Sequence, residues 1–565
     1  MRLPNFLRSR GGRLWTFFIL YVAEGMPQGF SNLVLATQLK RSGMPAAELG
    51  AMLGLVMLPW AFKWAYGPLI DVLVSHRFGP KRGWILATQS LMALSLLLLT
   101  LVSPEQQFWF IGLLLLHNLF AAMQDVAVDG LACVTLQKDE RALGSGMMFA
   151  GQSFGLLVGG SGALMLSDAV GFQLLPALLA LGLALITGLV VWPMREAPQI
   201  GGALRPVLHW RQVGGEIKRF SSQAFAAFMG SRCAFYGLLF VMLPISAMAM
   251  QLSLQSNLAV DLGLSNAELG QLSMFGSLIT AASCVAGGWF SDRIERRLAV
   301  LVAVLLLSLP GLYLAWALQQ SAWWPGQAAP ADLLQSFWIA CLAYSLCSGL
   351  IFGSRAALLM DLTRPAVAAT QFAFYMALLN LSIAYSHSWQ GEAMTQWGYA
   401  TTLWVDALFG LSSLLLLPLL RARADDLADA PARARTRGFA AILGLLCLLW
   451  LPLQAIELGA AARPLLGLAY TLVFAVAGLF LLGCAGMLAP GALRRVLLLA
   501  ALGLLLMLLR KHWQPALATL WLPAATGLAL LLPAIGGLAL WGLGWHAGRL
   551  PIFNHSETLA PGLAT

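Results

Sequence analysis

Charge is scarce in this chain. Only 10% of its 565 residues are Asp, Glu, Lys or Arg, whereas 59% are hydrophobic, and so little polar surface cannot clothe a water-soluble globule. Also missing are ten-residue segments of alternating polar and apolar residues, the mark of a transmembrane β-barrel. The glycine-rich run at 159–162 is not followed by the GKS or GKT of a phosphate loop, so no nucleotide-hydrolysing motif is present and the run is best suited to close helix packing. Cysteine is sparse and unpaired in pattern. Cys133, Cys233, Cys284, Cys341, Cys347, Cys447 and Cys484 are scattered, almost all in apolar segments and without a CxxC pair. They read as small core residues, implying neither a metal site nor a disulfide framework.

What the chain does contain is continuous Leu/Ala-rich runs of spanning length, and these must be helices because each backbone polar group in lipid needs an internal partner. The expected fold is therefore all-α and polytopic. Spans are predicted near 13–35, 46–70, 84–102, 108–134, 142–166 and 173–193, then near 220–256, 266–290, 298–318, 334–360, 366–388 and 400–420. This gives a first six-helix bundle at 1–193, a central loop at 194–219 and a second bundle at 220–420. A charged linker at 421–438 leads to further transmembrane helices at 439–545, four or two in number, and a tail at 546–565.

The formal charge of +10 could suggest a nucleic-acid surface, but the basic residues stand in short blocks between spans. Arg2, Arg8, Arg10 and Arg13 precede the first span; Arg77, Lys81 and Arg82 separate the second from the third; Arg195, Arg205, Arg211, Lys218 and Arg219 fill the central loop. The positive-inside rule then makes the N-terminus and these loops cytoplasmic, and no nucleic-acid partner is implied. The first span is too long for a cleaved signal peptide and carries no A-x-A-like site.

The two halves repeat one another. The segment from Gly43 to Gly50 (GMPAAELG) matches that from Gly263 to Gly270 (GLSNAELG), and each precedes a span ending in GxxxD, Gly67 to Asp71 and Gly288 to Asp292. Basic loops follow both aspartates, and Gln107-Phe108-Trp109 is echoed by Ser336-Phe337-Trp338. Three matches in one order indicate an internal duplication.

GxxxD with a basic loop, repeated in both halves, resembles the major facilitator superfamily. Within it EGMPQGF (24–30), LPWAFKWAYGPLID (58–71), QDVAVDG (124–130) and LLMDLTRPAVAATQFAFYMAL (358–378) are similar to the AmpG-type muropeptide permeases. Related pieces occur in acetyl-coenzyme A transporters and in pyochelin/rhizobactin-type siderophore importers. The resemblance covers roughly residues 13 to 420. It implies two pseudo-symmetric six-helix bundles around a central cavity, with an extra C-terminal helical region. It also implies a secondary active transporter of the bacterial inner membrane, not an enzyme, that imports an anionic amphipathic solute such as a muropeptide with protons, without cofactor or metal and as a monomer. A siderophore or acetyl-coenzyme A is the alternative cargo. A membrane acyltransferase is a weaker alternative, since it needs an exposed histidine and only His117 and His387 lie mid-span.

In that architecture spans one, four, seven and ten line the cavity, and here each carries charge: Glu24, Asp125 with Asp129, Arg232, and Arg355. A charge at the bilayer centre costs about 2.5–3.5 kcal/mol on insertion scales, so each needs a partner, a cavity or a task. Glu24 lies eleven residues beyond Arg13, roughly 16 Å along a helix and so near the midplane. Glu24 and Asp125 are the expected proton carriers. Arg232, Gln28, Tyr236, Arg355, Gln371, Tyr375 and Lys63 are the expected solute contacts, although hydroxyls and amides serve equally as interhelical glue. Asp71, Arg77, Lys81, Arg82, Asp129, Asp292 and Arg293 are the expected gating set, with Asp129 pairing to Arg77, Lys81 or Arg82. Since both repeats and all these charges precede residue 421, truncation within the 421–438 linker is expected to leave measurable transport, with losses mainly in stability or partner contacts.

Overall fold

The computed structural model describes residues 5–35, 38, 56, 58–75, 77–103, 106–196, 214–215, 225, 227–229, 231–244, 250, 253–363, 368–421, 430–455, 463–488, 491–508 and 510–546. The expected all-α polytopic fold is what it contains. Eleven of the described helices are long and apolar enough to cross a membrane, and Arg232–Met242 and Ala368–Ile383 are shorter apolar helices.

The helices named below are α1 (Arg10–Gly29), α2 (Lys63–Val72), α3 (Arg82–Leu99), α4 (Gln107–Thr135), α5 (Arg141–Leu157), α6 (Leu175–Ile186), α7 (Arg232–Met242) and α8 (Ser253–Asp261). They continue as α9 (Asn266–Ser291), α10 (Arg296–Ser321), α11 (Ala331–Asp361), α12 (Ala368–Leu411), α13 (Ala430–Ala455), α14 (Arg463–Met487), α15 (Ala492–Met507) and α16 (Arg510–His546). Gly398 breaks α12 at φ 75°, a left-handed conformation that only glycine adopts without strain. Two compact units result: Met1–Ile217 with Leu243–Leu381 and Leu403–Pro418, and Lys218–Met242 with Ser382–Thr402 and Leu419–Thr565.

In the first unit α1 packs on α5, α3 on α4 and α6, and α9 on both α11 and α5. Glycine makes the closest approaches possible. A Cβ at Gly159, just beyond α5, would fall 1.9 Å from the Met26 carbonyl oxygen of α1, and one at Gly146 would fall 2.1 Å from that of Cys284 in α9. The run at 159–162 thus serves helix packing. The GLSNAELG repeat is the start of α9, where Ser265 and Glu268 form a capping box. Its partner copy at 43–50 lies outside the described residues.

The core is apolar and tightly filled, with Phe17, Leu20, Phe30, Ile85, Met92 and Phe337 all buried. The outer faces are equally apolar: Leu101, Phe108, Met165 and Leu499 stand more than two-thirds exposed, as lipid-facing residues do. In the second unit α13 packs on α16, α14 on α15, and α15 on α16. Helix α13 starts at Ala430, inside the stretch read as linker, because its alanines and arginines are good helix formers.

Candidate functional site

Helical spacing gathers a set of ionisable and amide side chains inside the first unit. Tyr21, Glu24 and Gln28 are three and four residues apart on α1, and Asp125 and Asp129 are four apart on α4, so each helix presents its polar groups on one face. Lys63 opens α2 and Gln152 lies in α5. Glu24, Lys63, Asp125 and Asp129 are all at most 5% exposed.

The pairing is specific. The Lys63 ammonium forms an ion pair with Asp125 Oδ2, and it also lies 4.8 Å from the centre of the Trp60 ring. Asp129 accepts the Tyr21 hydroxyl. Gln152 Nε2 donates to Glu24 Oε1 at 2.9 Å and lies 3.5 Å from Gln28 Oε1. Glu24 feels Asp125, Lys63 and Asp129 electrostatically. Three carboxyls therefore surround one ammonium, all four groups buried.

At the basic-loop end of this unit the two GxxxD aspartates make matching contacts. Asp71, which closes α2, pairs with the Lys81 ammonium, and its Oδ2 accepts from Thr370 N at 2.9 Å and Thr370 Oγ1 at 2.7 Å. Asp292, which follows α9, accepts from Ala142 N at 3.0 Å and Leu143 N at 2.8 Å. Each aspartate thus caps the N-terminus of a helix from the other half, α12 and α5 respectively, where the orphan N–H groups and the helix dipole favour a negative charge. Arg141 and Arg296 both reach Asp361 at the end of α11, at 2.8 and 3.0 Å. Arg13 forks onto Glu140 at 2.5 and 2.9 Å. Glu196 Oε1 accepts from the backbone N–H groups of Lys81 at 2.9 Å and Arg82 at 2.5 Å, and burial raises its carboxyl pKa despite those donors. Burial likewise raises that of Asp292.

One expected pairing is corrected. Asp129 does not meet Arg77, Lys81 or Arg82: it takes the Tyr21 hydroxyl, because its face of α4 turns toward α1, while Lys81 is held by the nearer Asp71. Arg82 instead donates to the Val191 and Trp192 carbonyls, and Arg77 stacks on Phe78. Arg293 lies over the Trp289 ring at 3.5 Å, and its neighbour Arg296 enters the ion network. Arg355 is half-buried beside Tyr344, which also feels Asp406. Gln371 and Tyr375 are fully buried in the same unit. Arg232 and Tyr236 belong to the second unit, the guanidinium 5.8 Å from the ring centre. His117 bonds Ser95 Oγ at 3.0 Å and the Met92 carbonyl at 3.2 Å through Nδ1, as a core histidine does; the His387 side chain lies outside the described residues.

Several participants were not singled out in the sequence: Tyr21, Glu140, Arg141, Gln152, Glu196, Arg296, Asp361 and Thr370. Tyr21 had a usable signal, one helical turn before Glu24. Arg141 and Asp361 also did, as charges at the edges of spans. Gln152 and Thr370 had none, since amides and hydroxyls are ordinary in such helices.

The model of the Major Facilitator Superfamily matches residues 16–387. The anhydromuropeptide permease of Escherichia coli strain K12 is 25% identical over 414 residues, covering 71% of this chain and 78% of the permease. A putative transporter AmpG 4 of Rickettsia felis is 24% identical over 315 residues, 54% of this chain and 73% of its own. Among solved structures, the human organic anion transporter MFSD10 (TETRAN) aligns with a TM-score of 0.53 at 14% identity, over 73% of this chain and all of its own. The proton:xylose symporter XylE aligns with a TM-score of 0.55 at 12% identity, over 73% and 97%. A multi-pass helical protein with an internal duplication, matched over most of its two halves by one family model, belongs to the major facilitator superfamily.

Proposed function

We propose that this transporter imports an anionic amphipathic solute of the muropeptide type across the bacterial inner membrane, coupled to protons, as a monomer with its N-terminus in the cytoplasm. The observation that carries the coupling is the surplus of acid around Lys63. Glu24, Asp125 and Asp129 lie buried together with one ammonium between them, and unbalanced buried charge is expensive unless a proton or partner neutralises it.

Glu24 and Asp125 exchange the coupled proton in this reading. In the empty carrier Lys63 neutralises Asp125. A solute carboxylate competes for the ammonium, frees Asp125, and so makes proton uptake and solute binding favour one another. Arg232 and Arg355 add guanidinium forks suited to carboxylate or phosphate, with Gln28, Tyr236, Gln371 and Tyr375 as polar contacts. Asp71 on Thr370, and Asp292 on Ala142 and Leu143, form the latch that must part when the basic-loop end opens, and Lys81 and Arg296 neutralise the two aspartates. Arg77, Arg82 and Arg293 flank it, and Asp129 extends the acid cluster toward that end.

The substrate reading is supported by the anhydromuropeptide permease among the relatives. The test is uptake of labelled anhydromuropeptide and of a labelled ferric siderophore by cells expressing the chain, with and without an uncoupler. Accumulation of the muropeptide that the uncoupler abolishes is expected. Glu24→Gln should still bind solute, since Gln152 keeps an oxygen to donate to, but should not accumulate it against a gradient. Siderophore uptake instead would overturn the substrate, and accumulation that neither the uncoupler nor Glu24→Gln reduces would overturn the coupling.

A further inference from the structure

Arg232 stands at the start of α7, a helix of eleven residues. The surfaces that α7 packs on decide where its guanidinium stands. Within the second unit, a ring of the C-terminal helices reaches α7. The Phe235 ring meets Phe439 of α13 edge-on, with centroids 4.9 Å apart and planes at 88°. Phe439 meets Phe480 of α14 at 5.4 Å and 83°, and Phe480 lies 6.2 Å from Phe225. Gly483, one turn beyond Phe480, makes room for that last ring: a Cβ there would stand 2.1 Å from Phe225 Cε2.

The same contacts continue to the charge. Phe235 meets Tyr236 at 5.5 Å and 76°, and Tyr236 carries the Arg232 guanidinium over its ring. The Cys233 thiol donates to the Arg421 carbonyl at 2.9 Å, which ties the start of α7 to the chain leading into α13. Edge-to-face contacts are directional, so this series constrains the rotation of α7 as well as its distance from α13 and α14.

We propose that Phe439 and Phe480 are positioning residues for solute binding: they hold α7 so that Arg232 meets the solute, and the C-terminal helices are thereby part of the transport machinery. The inference rests on the reading of Arg232 given above. It departs from the expectation that transport survives a cut in the 421–438 stretch with losses mainly in stability, because a ring from beyond the cut packs on Phe235.

A second aromatic cluster in the same helices supplies the control. Trp450 meets Tyr470 and Phe474 at 4.7 and 5.4 Å, and Arg510 lies 4.9 Å over Trp450. Trp450 stands eleven residues beyond Phe439, about three turns along α13, so Trp450→Ala removes none of the rings in the series that leads to Arg232.

The experiment measures anhydromuropeptide uptake kinetics in variants matched for membrane abundance. Phe439→Ala and Phe480→Ala should each raise KM about tenfold with little change in maximal rate, as loss of ground-state binding requires. Phe439→Tyr, which keeps the ring, should restore KM, and Trp450→Ala should leave it unchanged. A transport-independent readout is maleimide labelling of a variant whose single cysteine is Cys233, which is buried in the native packing; Phe439→Ala should speed it. Native KM and native Cys233 protection in Phe439→Ala would overturn the proposal, as would an equal rise in KM from Trp450→Ala. Arg232→Lys separates the two readings. If it leaves KM untouched, the assignment of Arg232 fails, while faster Cys233 labelling in Phe439→Ala still upholds the positioning of α7.

Discussion

Glu24, Asp125 and Arg232 were legible in the sequence as charges where lipid makes charge costly, but their partners were not. Lys63 looked like a solute contact from its place between two tryptophans, and the structure puts its ammonium on Asp125. Breaking such a buried pair from one side strands a charge at about 3–5 kcal/mol. Lys63→Met should therefore lower thermal stability in detergent strongly, and adding Asp125→Asn should recover most of the loss; a double variant no more stable than the single one would deny the pairing. Glu196 carries a pH signature. Burial raises its pKa in the folded state, so the folded protein holds the proton more tightly than the unfolded chain. Its contribution is then most favourable below the unfolded value and is lost as pH rises toward the raised folded value. Glu196→Gln keeps the oxygen that accepts from Lys81 N and Arg82 N, and its stability relative to the native protein should grow as pH rises from about 4.3. Melting curves across that range check this, and a difference independent of pH would contradict it.

Helices α5 and α12 are joined to the opposite half by their first turns. Asp292 reaches the N–H groups of Ala142 and Leu143, and Asp71 that of Thr370. The GxxxD repeat announced both aspartates, because the duplication is written in adjacent residues. It could not announce that each would cap a helix in the other half. Loss of an N-cap costs about 0.5–2 kcal/mol, so Asp292→Ala should destabilise the protein by that amount while Asp292→Asn, which keeps an oxygen acceptor, should cost less. Thermal unfolding of the two variants measures the difference, and equal losses would show that hydrogen bonding to α5 is not what Asp292 contributes.

The molecule as a whole is longer than the part that carries its duplication. Cutting the chain in the 421–438 stretch would remove α13 and α14, and with them the Phe439 and Phe480 rings that pack toward Phe235. A truncated protein that still inserts should therefore lose high-affinity uptake of anhydromuropeptide and label faster at Cys233. Transport with native KM after the cut would restore the view of these helices as an appendage.

Membrane residence, helical class and the two-fold repeat followed from the sequence because hydropathy and helical period are properties of neighbouring residues, and an apolar run has few choices in lipid. Glu24 and Asp125 stood out by the same reasoning turned around, as buried charges in apolar runs, and a charge in such a run demands an explanation. The choice of partner belonged to the folded molecule. Arg13 finds Glu140 at a separation of 127 residues, and Thr370 finds Asp71 at 299. Asp129 could have faced any of several cations until α4 settled against α1 and gave it Tyr21. Long-range pairing depends on which helix faces meet, and those faces are chosen by glycine contacts, caps and aromatic packing summed over the whole unit, none of which has a signature within a single run.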